Sequence, residues 1–322
     1  MSIPLVRRRA LGGSGLDVSP ICLGGNVFGW TADLDASFAV LDRFVELGGN
    51  FIDTANVYSG WVPGNQGGES ETIIGRWLTQ RGARDQLVIA TKVGMGTGKF
   101  DKGLSRDHIR RGVEESLARL QVEVIDLFYA HEDDPGTPLG ETMAAFDELV
   151  REGLVRAVGS SNYTADRLRQ ALDVSAADGV VAFTAHQPHF NLLDRDGYEG
   201  PLEELCRERG LGVAPYFALA RGFLSGKYRP DQPLPASGRA AGVERDYMNP
   251  RGWRMLETLD RVAAGHGVSQ TQVAIAWLLH RPGITAPIVS ATSPAQVTEL
   301  AEAAAVELSD DDVAALDAAG AR

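Results

Sequence analysis

The sequence predicts an α/β chain folded as a (β/α)8 TIM barrel, with an N-terminal β-hairpin and a long loop after the seventh strand. Three observations carry that prediction. Eight short apolar runs alternate with amphipathic stretches of helical period. The apolar runs end, at the same side, in polar residues. No composition shift marks a second domain across the 322 residues, so 1–322 reads as one domain. Strands that each lead into a helix pair in parallel, and the economical closed arrangement builds its site from the loops at the strand C-termini. A chain of this length buries roughly three quarters of its unfolded surface and needs no disulfide or metal staple.

Residues 6–19 carry Gly12-Gly13-Ser14-Gly15 between two β-like runs, which reads as a hairpin. The eight strand-like runs follow at 20–24, 50–53, 87–92, 124–131, 154–160, 181–187, 211–216 and 284–290. Helical periodicity marks 35–47, 69–80, 105–120, 139–152, 165–174, 202–210, 254–264 and 270–280. Gly48, Gly153 and Gly210 sit just past helix ends, where a left-handed cap suits glycine. The loop 217–253 breaks the rhythm. It is rich in Gly and Pro and carries Arg221, Lys227, Arg229, Arg239, Arg245 and Arg251. Loops of this length inside a compact domain are usually functional. Ser309 followed by Asp310, Asp311 and Asp312 reads as a helix cap with negative charge at the helix start, in preference to a metal site.

Lys plus Arg number 31 and Asp plus Glu 43, a net charge of −12. That balance argues against nucleic acid as a partner while leaving room for a small anionic cofactor held by local cations. Cys22 and Cys206 make no disulfide framework, which suits a reducing cytoplasm. Arg7-Arg8-Arg9 precede only Ala10 and Leu11 before Gly12-Gly13, too short for a signal core, and the apolar run 273–279 is far below a membrane span.

The strand ends carry the chemistry. The second, third and fourth runs stop at Asp53, Lys92 and His131; the later ones close on Ser161-Asn162, Gln187, Tyr216 and Ser290. Singly, each has an ordinary explanation: a turn residue, a snorkelling lysine, a surface histidine, a packed Tyr58. Together they bring a buried anion and cation to one mouth, and such charges must pair. A tyrosine beside that lysine is expected to ionise below about 10, which makes Tyr58 a general acid. His131 then orients a carbonyl oxygen by hydrogen bonding.

Asp53-Thr54-Ala55-Asn56-Val57-Tyr58, Thr91-Lys92 and His131 resemble the Asp, Tyr, Lys, His tetrad of the aldo-keto reductases. The likeness extends along most of the chain. Gly67-Gly68-Glu69-Ser70-Glu71 resembles the family's helix start after the Tyr, and Gly159-Ser160-Ser161-Asn162 its Ser-Asn pair that holds the nicotinamide amide. Gln187-Pro188 with Asn191-Leu192 resembles its sixth strand, and Tyr216 the aromatic stacked on nicotinamide. Gly222-Phe223-Leu224-Ser225-Gly226-Lys227-Tyr228 resembles the segment that wraps the pyrophosphate.

The resemblance implies reversible carbonyl reduction by NADPH, with NADH the alternative, and a cofactor chemistry that the protein positions. It implies cofactor contacts from Gly25, Asn26, Ser161, Asn162, Gln187, Tyr216, Gly222 and Lys227. Phe217-Ala218-Leu219 departs from a common Ser-Pro-Leu, which leaves backbone contacts to the pyrophosphate there. At the adenosine end stand Ser290, Thr292, Gln296 and Glu299, with Leu300 where Asn is common and no cation in the segment. Gln296 resembles the branch that contains the potassium-channel β subunits, in which the long loop can supply that cation; Arg239 is the candidate by its position. Trp30 and Trp61 are placed to form an apolar wall for an aldehyde or ketone.

Three rival readings stand beside this one. Gly94-Met95-Gly96-Thr97-Gly98-Lys99-Phe100 looks like a nucleotide loop, but a dinucleotide fingerprint needs Gly at Lys99 and a P-loop needs Ser or Thr at Phe100. A metal-dependent hydrolase would enlist His186, His189, His131 and Asp53, but strand alternation sends His186 and His189 to opposite sides; no metal is expected. A cofactor-binding sensor with slow turnover would share the fold, yet the hairpin begins close to the first residue and leaves no partner-binding extension.

Overall fold

The structure, a computed structural model, describes residues 5–97 and 100–321. Gly98 and Lys99 of the glycine-rich run lie outside the described residues. Strands β1 (Arg9–Ala10) and β2 (Asp17–Val18) pair antiparallel as the expected hairpin. Its turn uses Gly12 and Gly15 at positive φ, and Gly12 presses against the backbone of Thr184, Gly210 and Gly212 where any side chain would collide. The hairpin therefore plugs the barrel floor. Leu11, Leu16 and Val18 join Phe51, Val88, Leu127, Ala157, Ala185, Ala214 and Ala286 in one buried cluster.

Eight parallel strands follow in sequence order: β3 (Cys22–Gly24), β4 (Phe51–Asp53), β5 (Val88–Val93), β6 (Ile125–Ala130), β7 (Val155–Ser161), β8 (Ala185–Gln187), β9 (Gly212–Val213) and β10 (Ile288–Val289). β10 pairs with β3, which returns the sheet to its beginning. The remaining gap closes through a parallel bridge between Val213 and Ile284, with Thr285 N–H donating to Val213 O at 2.8 Å and Ile288 N–H to Pro215 O at 2.8 Å. The (β/α)8 barrel is thus formed. Its register sets Gly24 beside Asp53, Lys92 beside Tyr129 and Ser161 beside Gln187, so the polar strand ends rise to one rim.

The helices that cover the barrel are α1 (Leu34–Glu46), α2 (Glu69–Arg81), α3 (Arg106–Leu120), α4 (Leu139–Arg151), α5 (Ala165–Asp178), α6 (Pro201–Glu208), α7 (Ala240–Tyr247), α8 (Pro250–His266), α9 (Gln270–His280), α10 (Pro294–Glu302) and α11 (Asp310–Gly320). Asp33, Ser105, Thr164 and Ser269 accept hydrogen bonds from the first-turn amides of α1, α3, α5 and α9. Ser309 and Asp312 form a reciprocal capping box on α11, and Asp312 also meets His266 at 2.9 Å, so the aspartate run serves the helix start.

Three elements differ from the sequence reading. α10 forms where no helix is expected from the sequence, in the segment given the adenosine-end contacts; Ser293 caps it and Pro294 opens it. α8 begins at Pro250, ahead of the expected 254, because Asn249 accepts from the amides of Arg251 and Gly252. Proline lacks the N–H that a first helical residue leaves unused, so Ser-Pro and Asn-Pro start helices rather than break them. The long loop itself contains α7 and a 3-10 turn at Ala220–Ser225. No helix among the described residues is long and apolar enough to cross a membrane.

Candidate active site

The ends of β4, β5 and β6 bring three of the expected residues together, and the loop after β4 adds the fourth. Lys92 and Asp53 are buried, 0% and 1% exposed, with Nζ 2.6 Å from Oδ2. Lys92 Nζ also donates to Thr54 O at 2.7 Å and to the Tyr58 hydroxyl at 2.9 Å. All three ammonium hydrogens have an acceptor, the condition under which a buried ion pair is tolerated. The Tyr58 hydroxyl in turn donates to Asp53 Oδ2 across a long 3.4 Å. That weak bond leaves its proton available to an acceptor arriving from the cavity, which Tyr58 lines.

The electrostatics correct one expectation. The Tyr58 phenol lies well above its ordinary value, not below it. Burial is the largest cause, and the Asp53 charge and hydrogen bond add to it. Burial and Asp53 outweigh the pull of the nearby Lys92 toward phenolate. The consequence is a phenol fully protonated at neutral pH. Lys92 is pushed down by burial, against the pull of Asp53. His131 is pushed well below its ordinary value, by burial and then by Lys92, so its ring is neutral. It stands edge-on to Tyr58 with ring centroids 6.0 Å apart, and its Nδ1 is buried without a partner. A neutral imidazole retains one N–H to offer a carbonyl oxygen.

Asp53, Tyr58 and His131 open into a cavity of about 660 Å³. Its walls take in most of the sequence-derived cofactor set. Asn162, at φ 58°, donates to His131 O at 2.9 Å and to Ser161 Oγ at 3.1 Å. Tyr216 donates its hydroxyl to Asn162 Oδ1 at 2.7 Å and stacks on His189 with centroids 5.2 Å apart. Opposite, Ser290 Oγ donates to Asn26 Oδ1 at 2.6 Å. Gln296 Oε1 accepts from the Thr292 amide at 2.8 Å, and Glu299 accepts from Ser269 Oγ at 2.6 Å. Gly25 is the exception: it lies beneath the wall, its carbonyl taken by Ser70 Oγ, while Gly24 and Val27 face the cavity instead.

After β9 the chain turns sharply through Phe217, Ala218 and Leu219. Phe217, Ala220 and Arg221 all adopt positive φ, at 54°, 46° and 57°. Left-handed backbone at three non-glycine residues in five is strain of the kind that accumulates at binding sites. The turn presents Arg221, Gly222 and Lys227 to the cavity. Arg221 pairs with Asp246 at 2.9 Å. Arg239 also lines the cavity, where its guanidinium lies 5.2 Å over the Trp30 ring and its Nη2 is buried without a partner. Trp30 and Trp61 meet edge to face at 5.7 Å and form one wall beside Tyr58, which both packs them together and exposes them to the cavity.

Sequence reasoning missed Gly24, Met95, Arg221 and Thr271 as lining residues. Arg221 had a signal in its place beside Gly222; Thr271 on α9 had none. His186 and His189 go separate ways, to Ser160 at 2.9 Å and to Asp194 at 3.0 Å. Among the described residues no group of three metal-ligating side chains converges.

The model of the Aldo/keto reductase family matches residues 20–321. A norsolorinic acid reductase of Aspergillus flavus is 32% identical over 319 residues, which cover 94% of this chain and 78% of that protein. The Bacillus subtilis protein named uncharacterized oxidoreductase YrpG is 35% identical over 92% of this chain and 91% of its own. A probable voltage-gated potassium channel subunit beta of Oryza sativa subsp. japonica is 34% identical over 90% and 88%. A barrel whose rim gathers Asp53, Tyr58, Lys92 and His131, matched by the family model over nearly its whole length, belongs to the Aldo/keto reductase family of oxidoreductases.

Proposed function

We propose that this single-domain protein, 1–322, reduces an aldehyde or ketone to the alcohol, reversibly, with Tyr58 as proton donor. The observation that carries the reading is the Lys92 Nζ to Tyr58 hydroxyl contact of 2.9 Å beneath an open cavity. Nicotinamide supplies a hydride when bound. The chain does the rest. His131 donates to the carbonyl oxygen and orients it. Tyr58, held protonated by burial, passes its proton to that oxygen. Lys92, anchored by Asp53, steadies the charge that develops on the tyrosine and on the substrate oxygen. Trp30 and Trp61 receive the apolar body of the substrate.

NADP(H) is the favoured cofactor and NADH the alternative. The residues fit a phosphorylated dinucleotide: Lys227 and Arg239 line the cavity with no carboxylate at salt-bridge distance among the described residues, and burial pushes the protonation of both down. Such cations favour an anion beside them. Ser161, Asn162 and Gln187 would hold the nicotinamide amide, Tyr216 its ring, the 217–222 turn the pyrophosphate, and Ser290, Thr292, Gln296 and Glu299 the adenosine end. Relatives named reductases support the reducing direction; the two free, buried cysteines suit the cytoplasm. The likeness to proteins named potassium channel β subunits favours a second reading, a cofactor-bound regulator that turns over slowly.

A panel of aldehydes and ketones, followed by loss of reduced-nicotinamide absorbance with each cofactor, tests both. Multiple turnovers with a lower KM for NADPH, and a preference that shrinks in Arg239→Ala, support the reading. A single turnover per chain supports the regulator instead. Equal use of both cofactors by both proteins removes the role given to Arg239.

A further inference from the structure

Asp53 spends its two carboxylate oxygens on opposite sides of the barrel. Oδ2 takes Lys92 Nζ at 2.6 Å, from the neighbouring strand. Oδ1 takes Gln187 Nε2 at 2.9 Å, a bond between residues 134 apart in sequence. β4 and β8 are the second and sixth of the eight barrel strands, so this bond crosses the barrel interior. Both partners are buried, Asp53 1% and Gln187 2% exposed. A buried carboxylate oxygen left without a donor is costly, so the contact is not incidental packing.

Gln187 is itself held in place. The Ser161 hydroxyl donates to its backbone carbonyl at 2.8 Å, on the paired strand β7. The Tyr129 hydroxyl, buried beside the same amide, has no partner at ordinary hydrogen-bond geometry, which leaves the bond to Asp53 as the contact that orients the side chain. No described residue donates to Gln187 Oε1, and Gln187 lines the cavity.

We propose that Gln187 is a positioning residue that acts on Tyr58 through Asp53 and Lys92, an inference that rests on the carbonyl-reductase reading above. Its N–H draws charge from Oδ1 and so tempers the field that Asp53 exerts on the lysine and the tyrosine. Its Oε1 remains available to a primary amide seated in the cavity. One side chain thereby joins the amide end of a bound nicotinamide to the proton-donating pair. Remove the N–H, and the less screened carboxylate holds the Lys92 and Tyr58 protons more tightly.

The test is the pH profile of kcat/KM for alcohol oxidation at saturating oxidised cofactor, in wild type, Gln187→Leu and Gln187→Glu. Oxidation needs Tyr58 without its proton, so the rate rises with pH through that titration. The rising limb moves up by about one pH unit in Gln187→Leu, the scale of a lost hydrogen bond to a charged group. Gln187→Glu keeps the shape and packing but, ionised over the alkaline range of the limb, sets a second negative charge against Asp53 in place of the donor, and moves the limb at least as far in the same direction. Cofactor titration by fluorescence quenching and thermal melts accompany the kinetics. Limbs that stay put in both variants, while only cofactor affinity falls, overturn the inference and leave Gln187 as a cofactor contact alone. A wild type inert toward every carbonyl and alcohol contradicts the reductase reading and this inference together.

Discussion

The two halves of the cavity are built on opposite principles. At the ends of β4, β5 and β6 every charge has its partner: Lys92 meets Asp53, Thr54 O and Tyr58, and Asp53 meets Gln187. Across the cavity, the long loop presents Lys227 and Arg239 with no described acid at salt-bridge distance, after a turn bent through the left-handed residues Phe217, Ala220 and Arg221. The first half is finished without a ligand. The second leaves its cations without an acid at salt-bridge distance among the described residues. On the function proposed above, chemistry is therefore preorganised on rigid strands, where a displaced proton donor would be most damaging. Cofactor binding, on the same proposal, falls to the strained, cation-rich loop.

Breaking the pairing in the first half has the largest expected effect. Lys92→Met leaves the Asp53 carboxylate buried and unpaired, which costs about 3–5 kcal/mol of folding stability. It also lowers turnover by roughly 10³-fold. Pairing it with Asp53→Asn restores much of the stability and none of the turnover. Urea melts and steady-state rates on the three proteins check this; a Lys92→Met chain as stable as wild type would show that the ion pair does not support the fold.

Acid strikes the buried histidines of the barrel. His186 is buried on β8 and pushed down to about 3, mainly by burial, while His131 is displaced in the same direction. An unfolded histidine binds a proton below about 6.5, and the folded one does not until far lower pH. The unfolded state thus holds more protons in that window, so stability is full above pH 6.5 and falls as pH drops toward 3. His186 alone accounts for a loss of about 2 kcal/mol at pH 5. Urea midpoints at pH 7 and pH 5 measure it, and His186→Gln should flatten the difference.

The smallest stability effects belong to the loop. Without cofactor, Lys227→Ala and Arg239→Ala each change folding stability by no more than about 1 kcal/mol, since each gives up a contact over an aromatic ring, Tyr228 or Trp30, but no acidic partner. Their cofactor dissociation constants rise about tenfold or more, the worth of a charged contact. Losses of stability equal to that of Lys92→Met would erase the contrast between the halves.

The same contrast explains what was legible in the sequence. An apolar strand that stops at Asp53, Lys92 or His131 announces a rim residue, because strand geometry leaves little choice of direction. Eight such runs sufficed for the barrel, and a family likeness singled out Asp53, Tyr58, Lys92 and His131, which the structure brings together. The proton affinity of Tyr58 was not legible. It depends on how deeply the phenol is buried and on Asp53 lying within reach, neither of which follows from a five-residue interval. α7 and α10 escaped because they are short, and because Ser293-Pro294 and the Gly and Pro of the long loop read locally as breakers. The bond from Gln187 to Asp53 was out of reach for another reason: it joins residues 134 apart, across a closed sheet.

The most direct test of the account is a single-turnover measurement on Tyr58→Phe. The variant is mixed with excess reduced cofactor and a carbonyl that wild type reduces, and cofactor affinity is titrated in parallel. The account predicts hydride transfer slowed by about 10³-fold, with cofactor affinity within about twofold of wild type. A Phe variant that reduces the carbonyl within about tenfold of the wild-type rate would contradict Tyr58 as the proton donor.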